Sequence, residues 1–280
     1  MIDWNRFIQQ ALEEDVGEGD HTSLSCISPE AEGSALLHIK DDGILAGVDL
    51  AEKIFLHLSP SIKFTKLKAD GDLIQNGETA FEISAKARTI LKCERLVLNC
   101  MQRMSGIATL TREYVKRIEG FKSKILDTRK TTPLFRAAEK WAVRIGGGEN
   151  HRFGLYDMIL IKDNHIDYAG GIVNALVAAR NYLEERKFSL RVEIEARTLH
   201  DAELILKAGN ADRIMLDNFS LPDLRKAIEM IGSRLETEAS GGITLETVRD
   251  VASTGVNYIS VGALTHSYRS LDMSLKAKMS

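Results

Sequence analysis

Before residue 120, short apolar runs alternate with turn signals. Residues 33–40 (Gly-Ser-Ala-Leu-Leu-His-Ile-Lys), 43–47 and 79–84 read as strands, separated by Asp41-Asp42-Gly43, Asp70-Gly71-Asp72 and Asn76-Gly77. Between them Leu50, Ile54, Phe55 and Leu58 recur at helical spacing. Residues 94–118 are mostly helical, with Leu96, Val97, Met101, Met104, Ile107, Leu110, Tyr114 and Ile118 at helical intervals. Gly106 is a candidate break or kink in that helix, and Arg103 lies off its apolar face. This half predicts an α+β sandwich domain with a largely antiparallel sheet.

Past residue 120 the texture changes. Apolar runs at 123–127, 157–161, 191–195, 213–217, 236–240 and 257–261 alternate, in the later part, with amphipathic helices at about 172–187, 199–208, 220–231 and 244–254. Such β/α alternation suits parallel strands closed into an α/β barrel, with a doubly wound open sheet as the alternative. The predicted division is an N-terminal domain at 1–118 and a barrel domain at 119–267, with the tail 268–280 packing on the first domain.

Composition narrows the function classes. The 280 residues, 44% hydrophobic and 28% charged, suffice for a barrel and a smaller partner domain. A formal charge of -3 argues against a nucleic-acid binder, so any basic site must be local. The N-terminus lacks a basic stretch followed by an apolar run, and no window approaches the roughly 18 apolar residues of a membrane span. A cytoplasmic chain without a membrane partner is expected. Cys26, Cys93 and Cys100 show no CxxC spacing and read as reduced thiols, small hydrophobes in the core.

Barrel enzymes keep their chemistry at the C-terminal ends of the strands. Here those ends deliver Asp127-Thr128-Arg129-Lys130, Lys162-Asp163-Asn164-His165, Glu195, Asp217-Asn218, Ser240-Gly241-Gly242 and Ser260-Val261-Gly262. Capping or solubility would explain any one of them; six on one face point to a site. The last two are small and glycine-containing, suited to cradling a phosphate on backbone N–H groups. Arg129, Lys130, His151, Arg152 and Lys162 form a cationic set in an acidic chain. Like charges 4 Å apart repel by about 4 kcal/mol at an effective dielectric near 20, so the set calls for a polyanionic ligand. Glu195 and Asp217 end adjacent strands and could hold sugar hydroxyls, directly or through Mg²⁺.

These residues resemble the quinolinate phosphoribosyltransferase family. The resemblance is carried by Glu14 to Ser23, Glu94 to Asn99 and Arg103 to Ala108, then by Thr128-Arg129-Lys130-Thr131-Thr132-Pro133 and Gly146-Gly147-Gly148 to Asn150-His151-Arg152. It continues through Lys162-Asp163-Asn164-His165, Val192-Glu193-Ile194-Glu195, Leu216-Asp217-Asn218, Ser240-Gly241-Gly242-Ile243 and Ser260 to His266, in the family's order. The resemblance implies an N-terminal α/β sandwich beside an incomplete TIM-like barrel. It also implies a homodimer with shared active sites, or a higher oligomer of it, in which Arg103 serves the neighbouring site.

By the same resemblance, Arg103, Thr128, Arg129, Lys130, His151, Arg152 and Lys162 would bind quinolinate and part of phosphoribosyl pyrophosphate. Glu195 and Asp217 would hold the ribose hydroxyls with Mg²⁺, and Ser240, Gly241, Gly242, Ser260, Val261 and Gly262 the 5′-phosphate. Lys130, Lys162, Glu195 and Asp217 would be the catalytic set. The implied reaction makes nicotinate mononucleotide, pyrophosphate and carbon dioxide.

Two rivals stand beside this reading. A barrel relative using another acceptor, such as nicotinate, would keep the phosphoribosyl half of the site and alter the dicarboxylate half; the complete basic set argues against it. A carrier module is suggested by the hairpin rhythm of residues 69–83, which resembles lipoyl and biotinyl domains but lacks their modifiable lysine.

Overall fold

The computed structural model describes residues 3–278. Helix α1 (Trp4–Val16) is capped by the Asp3 carboxylate, which accepts from the Arg6 amide, and it buries Ile8 and Leu12. The chain continues through α2 (His21–Cys26), β1 (Glu32–Ile39), β2 (Gly43–Ile44), α3 (Val48–Leu58), β3 (Lys63–Lys66), β4 (Leu73–Ile74) and β5 (Thr79–Lys86). Helix α4 (Ala87–Arg117) follows directly, beginning seven residues before the predicted start at 94 because Ile90 and Cys93 extend its buried stripe toward β5. Then come β6 (Lys124–Leu126), α5 (Arg136–Ile145), β7 (Ile159–Ile161), α6 (Asp163–Tyr168), α7 (Ile172–Arg186) and β8 (Val192–Ala196). The remainder is α8 (Leu199–Ala208), β9 (Arg213–Asp217), α9 (Leu221–Ile231), β10 (Glu236–Ser240), α10 (Val248–Ala252), β11 (Tyr258–Ser260), α11 (Ala263–His266) and β12 (Met273–Ala277).

Two compact units result. One takes the chain up to Arg112 together with Pro133–Gly147 and the stretch from Tyr268 onward; the other takes Glu113–Thr132 and Gly148–Ser267. A single boundary near 118 misses the excursion of α5, whose C-terminal turn is tied to α4 by the Arg112 Nε donating to the Gly146 carbonyl at 2.9 Å.

The first unit is built on an antiparallel sheet in the order β12-β1-β5-β3. Alternation along β1 buries Ala35, Leu37 and Ile39, and β5 adds Ala80, Phe81 and Ile83. Phe55 of α3 and Phe64 of β3 pack on Phe81, with ring centroids 6.2 and 4.5 Å away. Residues 69–83 are woven into this unit, since β4 pairs with β2 and β5 sits in the middle of the sheet. That placement suits a sandwich component, not a separate carrier hairpin.

Gly106 does not break α4. A Cβ there would lie 2.2 Å from the Arg269 carbonyl oxygen, so the glycine lets the C-terminal segment cross the helix at close range. Cys93 and Cys100 are buried, and burial raises each thiol to about 12; Cys26 is exposed at the end of α2, contrary to its expected place in the core.

The second unit carries six parallel strands in the order β6-β11-β10-β9-β8-β7. From β7 to β11 each strand pairs with its successor, and the last strand returns to pair with the first, Tyr258 opposite Lys124. A doubly wound sheet reverses direction at its middle. This one never reverses, which is the order of a barrel missing only the β6–β7 pairing. Glu149 takes that free edge of β6: its amide donates to the Ile125 carbonyl at 2.8 Å and its carbonyl accepts from the Asp127 amide at 3.2 Å.

Candidate active site

The C-terminal ends of the six strands present the residues singled out by the sequence. After β6, Thr128 Oγ1 accepts from the Lys130 amide at 3.0 Å, and the Lys130 carbonyl accepts from Thr265 Oγ1 at 2.8 Å. The first bond fixes the turn after β6 and the second ties the Lys130 backbone to the segment after β11, and the Lys130 methylenes lie close to Gly262. Arg129 and Lys130 are exposed, whereas Ser260 and Val261 are buried.

Asp127, wholly buried at the end of β6, shapes the next stretch. Its carboxylate accepts from the His151 amide at 2.9 Å and from Asn150 Nδ2 at 2.5 Å. Asp157 does the same one turn later, accepting from the Phe153 and Gly154 amides at 2.7 and 2.8 Å. Arg152 is held between these clamps, with Nη1 donating to the Met158 carbonyl at 3.1 Å. Its Nε is buried without a hydrogen-bond partner. Burial lowers the Arg152 pKa, and the neighbouring Arg129 guanidinium lowers it further. Two guanidinium groups repelling each other, one with an unused donor, form an anion-binding geometry.

Lys162 precedes α6, and its amide donates to His165 Nδ1 at 2.9 Å, which fixes the backbone from which it projects. Its ammonium lies 3.5 Å from the Glu195 carboxylate. Glu195 and Asp217 stand on one face of adjacent strands, because Glu195 pairs with Met215 and Asp217 follows two residues on. Burial raises the Glu195 pKa, Lys162 opposes the rise, and Asp217 and Asp163 add to it. Carboxylates that repel one another in this way are relieved by a cation or by hydroxyl donors.

His151 departs from the expected set of ligand-facing cations. It is buried, with Nε2 at 3.1 Å from Glu193 and 3.4 Å from Glu238, while Nδ1 accepts from the Arg152 amide at 2.7 Å. Arg213 completes the group, with Nη1 3.1 Å from Glu238 and 3.9 Å from Glu193. Burial and the Glu238 carboxylate raise Glu193 to about 7, against the lowering effect of His151 and Arg213. The ligand atoms of His151, Glu193 and Glu238 lie within 4.8 Å of one another, a spacing that suits a metal ion. The Arg213 guanidinium already supplies positive charge there.

Family models decide which proteins share this arrangement. The N-terminal domain of quinolinate phosphoribosyl transferase matches residues 20–105, and its C-terminal domain matches residues 107–276. The chain belongs to the quinolinate phosphoribosyltransferase family. A chloroplastic nicotinate-nucleotide pyrophosphorylase (carboxylating) of Arabidopsis thaliana is 46% identical over 289 residues, 98% of this chain and 82% of that protein. A quinolinate phosphoribosyltransferase (decarboxylating) of Nicotiana tabacum is 47% identical over 284 residues, 96% of this chain and 81% of the relative. The crystal structure of NadC from Streptococcus pyogenes superposes with a TM-score of 0.91 at 39% identity, covering 97% of this chain and 95% of that one.

Within this family chain, the sequence reading passed over Glu193, Arg213 and Glu238. The signal at Glu193 was present, two positions before Glu195 and therefore on the same face, but Arg213 only opens its run and Glu238 lies in the polar stretch Glu-Thr-Glu-Ala-Ser. Arg103 belongs to the other unit. It is exposed on α4, its guanidinium 5.7 Å from the Tyr268 ring centroid, and it lines an open cavity with Glu14, Asp15, Arg95, Asn99 and Leu134.

Proposed function

We infer that this chain joins quinolinate to the phosphoribosyl group of phosphoribosyl pyrophosphate, giving nicotinate mononucleotide, pyrophosphate and carbon dioxide in NAD biosynthesis. Family membership supports the reaction, and the observation that carries the site assignment is the pair Arg129 and Arg152, with the buried Arg152 Nε lacking a partner. A dicarboxylate answers that arrangement, and a monocarboxylate would leave a donor unpaired at a cost of about 1–3 kcal/mol.

Arg129, Arg152 and Lys162, with Arg103 of the partner subunit, orient the two carboxylates of quinolinate, and His151 supports them from beneath by accepting from the Arg152 amide. Thr128 fixes the turn that carries Arg129 and Lys130. Lys130, whose methylenes lie close to Gly262, is assigned to the phosphate and pyrophosphate oxygens. Ser240-Gly241-Gly242 and Ser260-Val261-Gly262 receive the 5′-phosphate on backbone N–H groups. Glu195 and Asp217 hold the ribose hydroxyls.

As the bond from C1 to pyrophosphate breaks, its electron pair leaves with pyrophosphate and the ring nitrogen lone pair forms the new bond to C1. Glu195 and Asp217 stabilise the positive charge on the ribose, while Lys130 and Lys162 neutralise the departing oxygens. The carboxylate next to the quaternary nitrogen then leaves as carbon dioxide. Its electron pair stays on the ring carbon beside the positive nitrogen and takes a proton.

The donor set of Glu195 and Asp217, two hard oxygen ligands whose mutual repulsion a cation relieves, fits magnesium. When bound, the ion supplies charge neutralisation at pyrophosphate oxygens. The functional unit is a homodimer, or a higher oligomer of it, with Arg103 contributed across subunits. Three free cysteines support a reducing, cytoplasmic setting. Among the described residues, no helix is long and apolar enough to cross a membrane.

The test is purified protein with Mg²⁺, phosphoribosyl pyrophosphate and either quinolinate or nicotinate, following nicotinate mononucleotide and carbon dioxide labelled at the carboxyl beside the ring nitrogen. Equal amounts of both products from quinolinate, with little from nicotinate, are expected. Turnover of nicotinate alone would overturn the acceptor assignment.

A further inference from the structure

Asn218, directly after Asp217, holds a left-handed backbone conformation with φ of 56°. Asparagine accepts that region more readily than most residues with a side chain, yet glycine would reach it with less strain. Three contacts hold this position, two from the asparagine side chain and one from its backbone. Its Nδ2 donates to the Asp217 carboxylate at 2.6 Å. Its backbone N–H, which any residue here would keep, donates to the Ser240 carbonyl at 2.8 Å, fastening the end of β9 to the start of the Ser240-Gly241-Gly242 turn. Its Oδ1 occupies the space above Gly241, where a Cβ would come within 2.2 Å of it. Gly241, with φ of 97°, is therefore bare for a reason beyond its own backbone: the Asn218 side chain fills the place a Cβ would need.

We propose that Asn218 is a positioning residue that locks the Asp217 carboxylate to the Ser240-Gly241-Gly242 turn and so sets the distance between the ribose and 5′-phosphate subsites. The inference rests on the roles given above to Asp217 and to that turn. One side chain touches both, so the two ends of a ribose 5-phosphate are gripped by parts that move together. A carboxylate free to rotate would have to be ordered by each incoming substrate, and prior ordering is what a second hydrogen bond provides. The acceptor side is not involved. Quinolinate is assigned to Arg129, Arg152 and Lys162.

The test compares Asn218→Gly and Asn218→Ala with the unaltered protein in the quinolinate assay, varying each substrate in turn and recording Tm. Asn218→Gly preserves the backbone conformation and removes only the side-chain contacts. It is expected to raise KM for phosphoribosyl pyrophosphate about tenfold, to lower kcat, and to leave KM for quinolinate within twofold. Asn218→Ala should show the same selectivity with a lower Tm from the strained backbone.

The proposal falls if Asn218→Gly leaves both KM values and kcat unchanged, or if both KM values rise together. It falls equally if Asn218→Gly restores full activity to the position while Asn218→Ala does not, since the residue would then serve the backbone alone. An unaltered protein inactive with quinolinate would instead sink the reading on which the proposal rests.

Discussion

The interior of the barrel and its rim both carry cations, in opposite circumstances. Inside, Arg213 and His151 face Glu193 and Glu238, and Arg213 also pairs with Glu236. At the rim, Arg129 and Arg152 repel one another and a buried guanidinium donor is unused. The inner charges balance within the chain and contribute to its stability; the outer ones, in the function proposed above, find their balance in a ligand. Removing a charge should therefore cost folding in one place and turnover in the other.

The strongest test of that contrast is Arg129→Ala, expected to lower kcat/KM about 10³-fold, roughly 4 kcal/mol, while urea unfolding shifts by less than about 1 kcal/mol. A large loss of stability would show that the rim is structural after all. Glu238→Ala inverts the prediction. It leaves His151 and Arg213 short of a partner in the core and should cost about 3–5 kcal/mol of stability, read from the urea midpoint. Unchanged stability would remove the distinction between interior and rim.

A third experiment asks whether the rim is completed from outside the subunit. Arg103→Ala and Lys162→Ala should each be inactive, and mixing them under conditions of proven subunit exchange should restore up to about a quarter of normal turnover, because each mixed dimer keeps one intact site. No recovery would place Arg103 in its own subunit's chemistry or outside it altogether. The smallest effect is expected at Lys226→Ala on α9, whose ammonium meets Asp223 at 3.4 Å on the exposed surface. Stability should move by less than about 0.5 kcal/mol and kcat should not change, setting the baseline against which the other variants are judged.

Much of the barrel was legible because parallel strands write two signals into the sequence: a short apolar run, then a polar or glycine-rich ending. Every strand of the second unit lies within or one residue beyond such a run, and β9 and β10 match their runs residue for residue. What escaped depended on partners far away in the chain. His151 looks like one more rim cation until Glu193 and Glu238 are folded against it from two other strands. Gly106 looks like a helix breaker until the backbone at Arg269 is laid across it. Local pattern names the elements; it cannot say which backbone crosses which helix, or which charge is already matched.

The pairing of the first barrel strand with the last carries a consequence for how the protein matures. Lys124 has its β11 partner only once Tyr258 has been made, so during synthesis most of the barrel is complete before β6 finds that neighbour. The Ser260-Val261-Gly262 turn and the bond from Thr265 to the Lys130 carbonyl arrive with the same strand. Contacts between such distant stretches form late, because the intervening loop must be closed first. A nascent or C-terminally shortened chain can thus hold its buried charge group and most of its strands while lacking one of the two turns proposed for the phosphate, and catalytic turnover becomes a reporter of the last folding event.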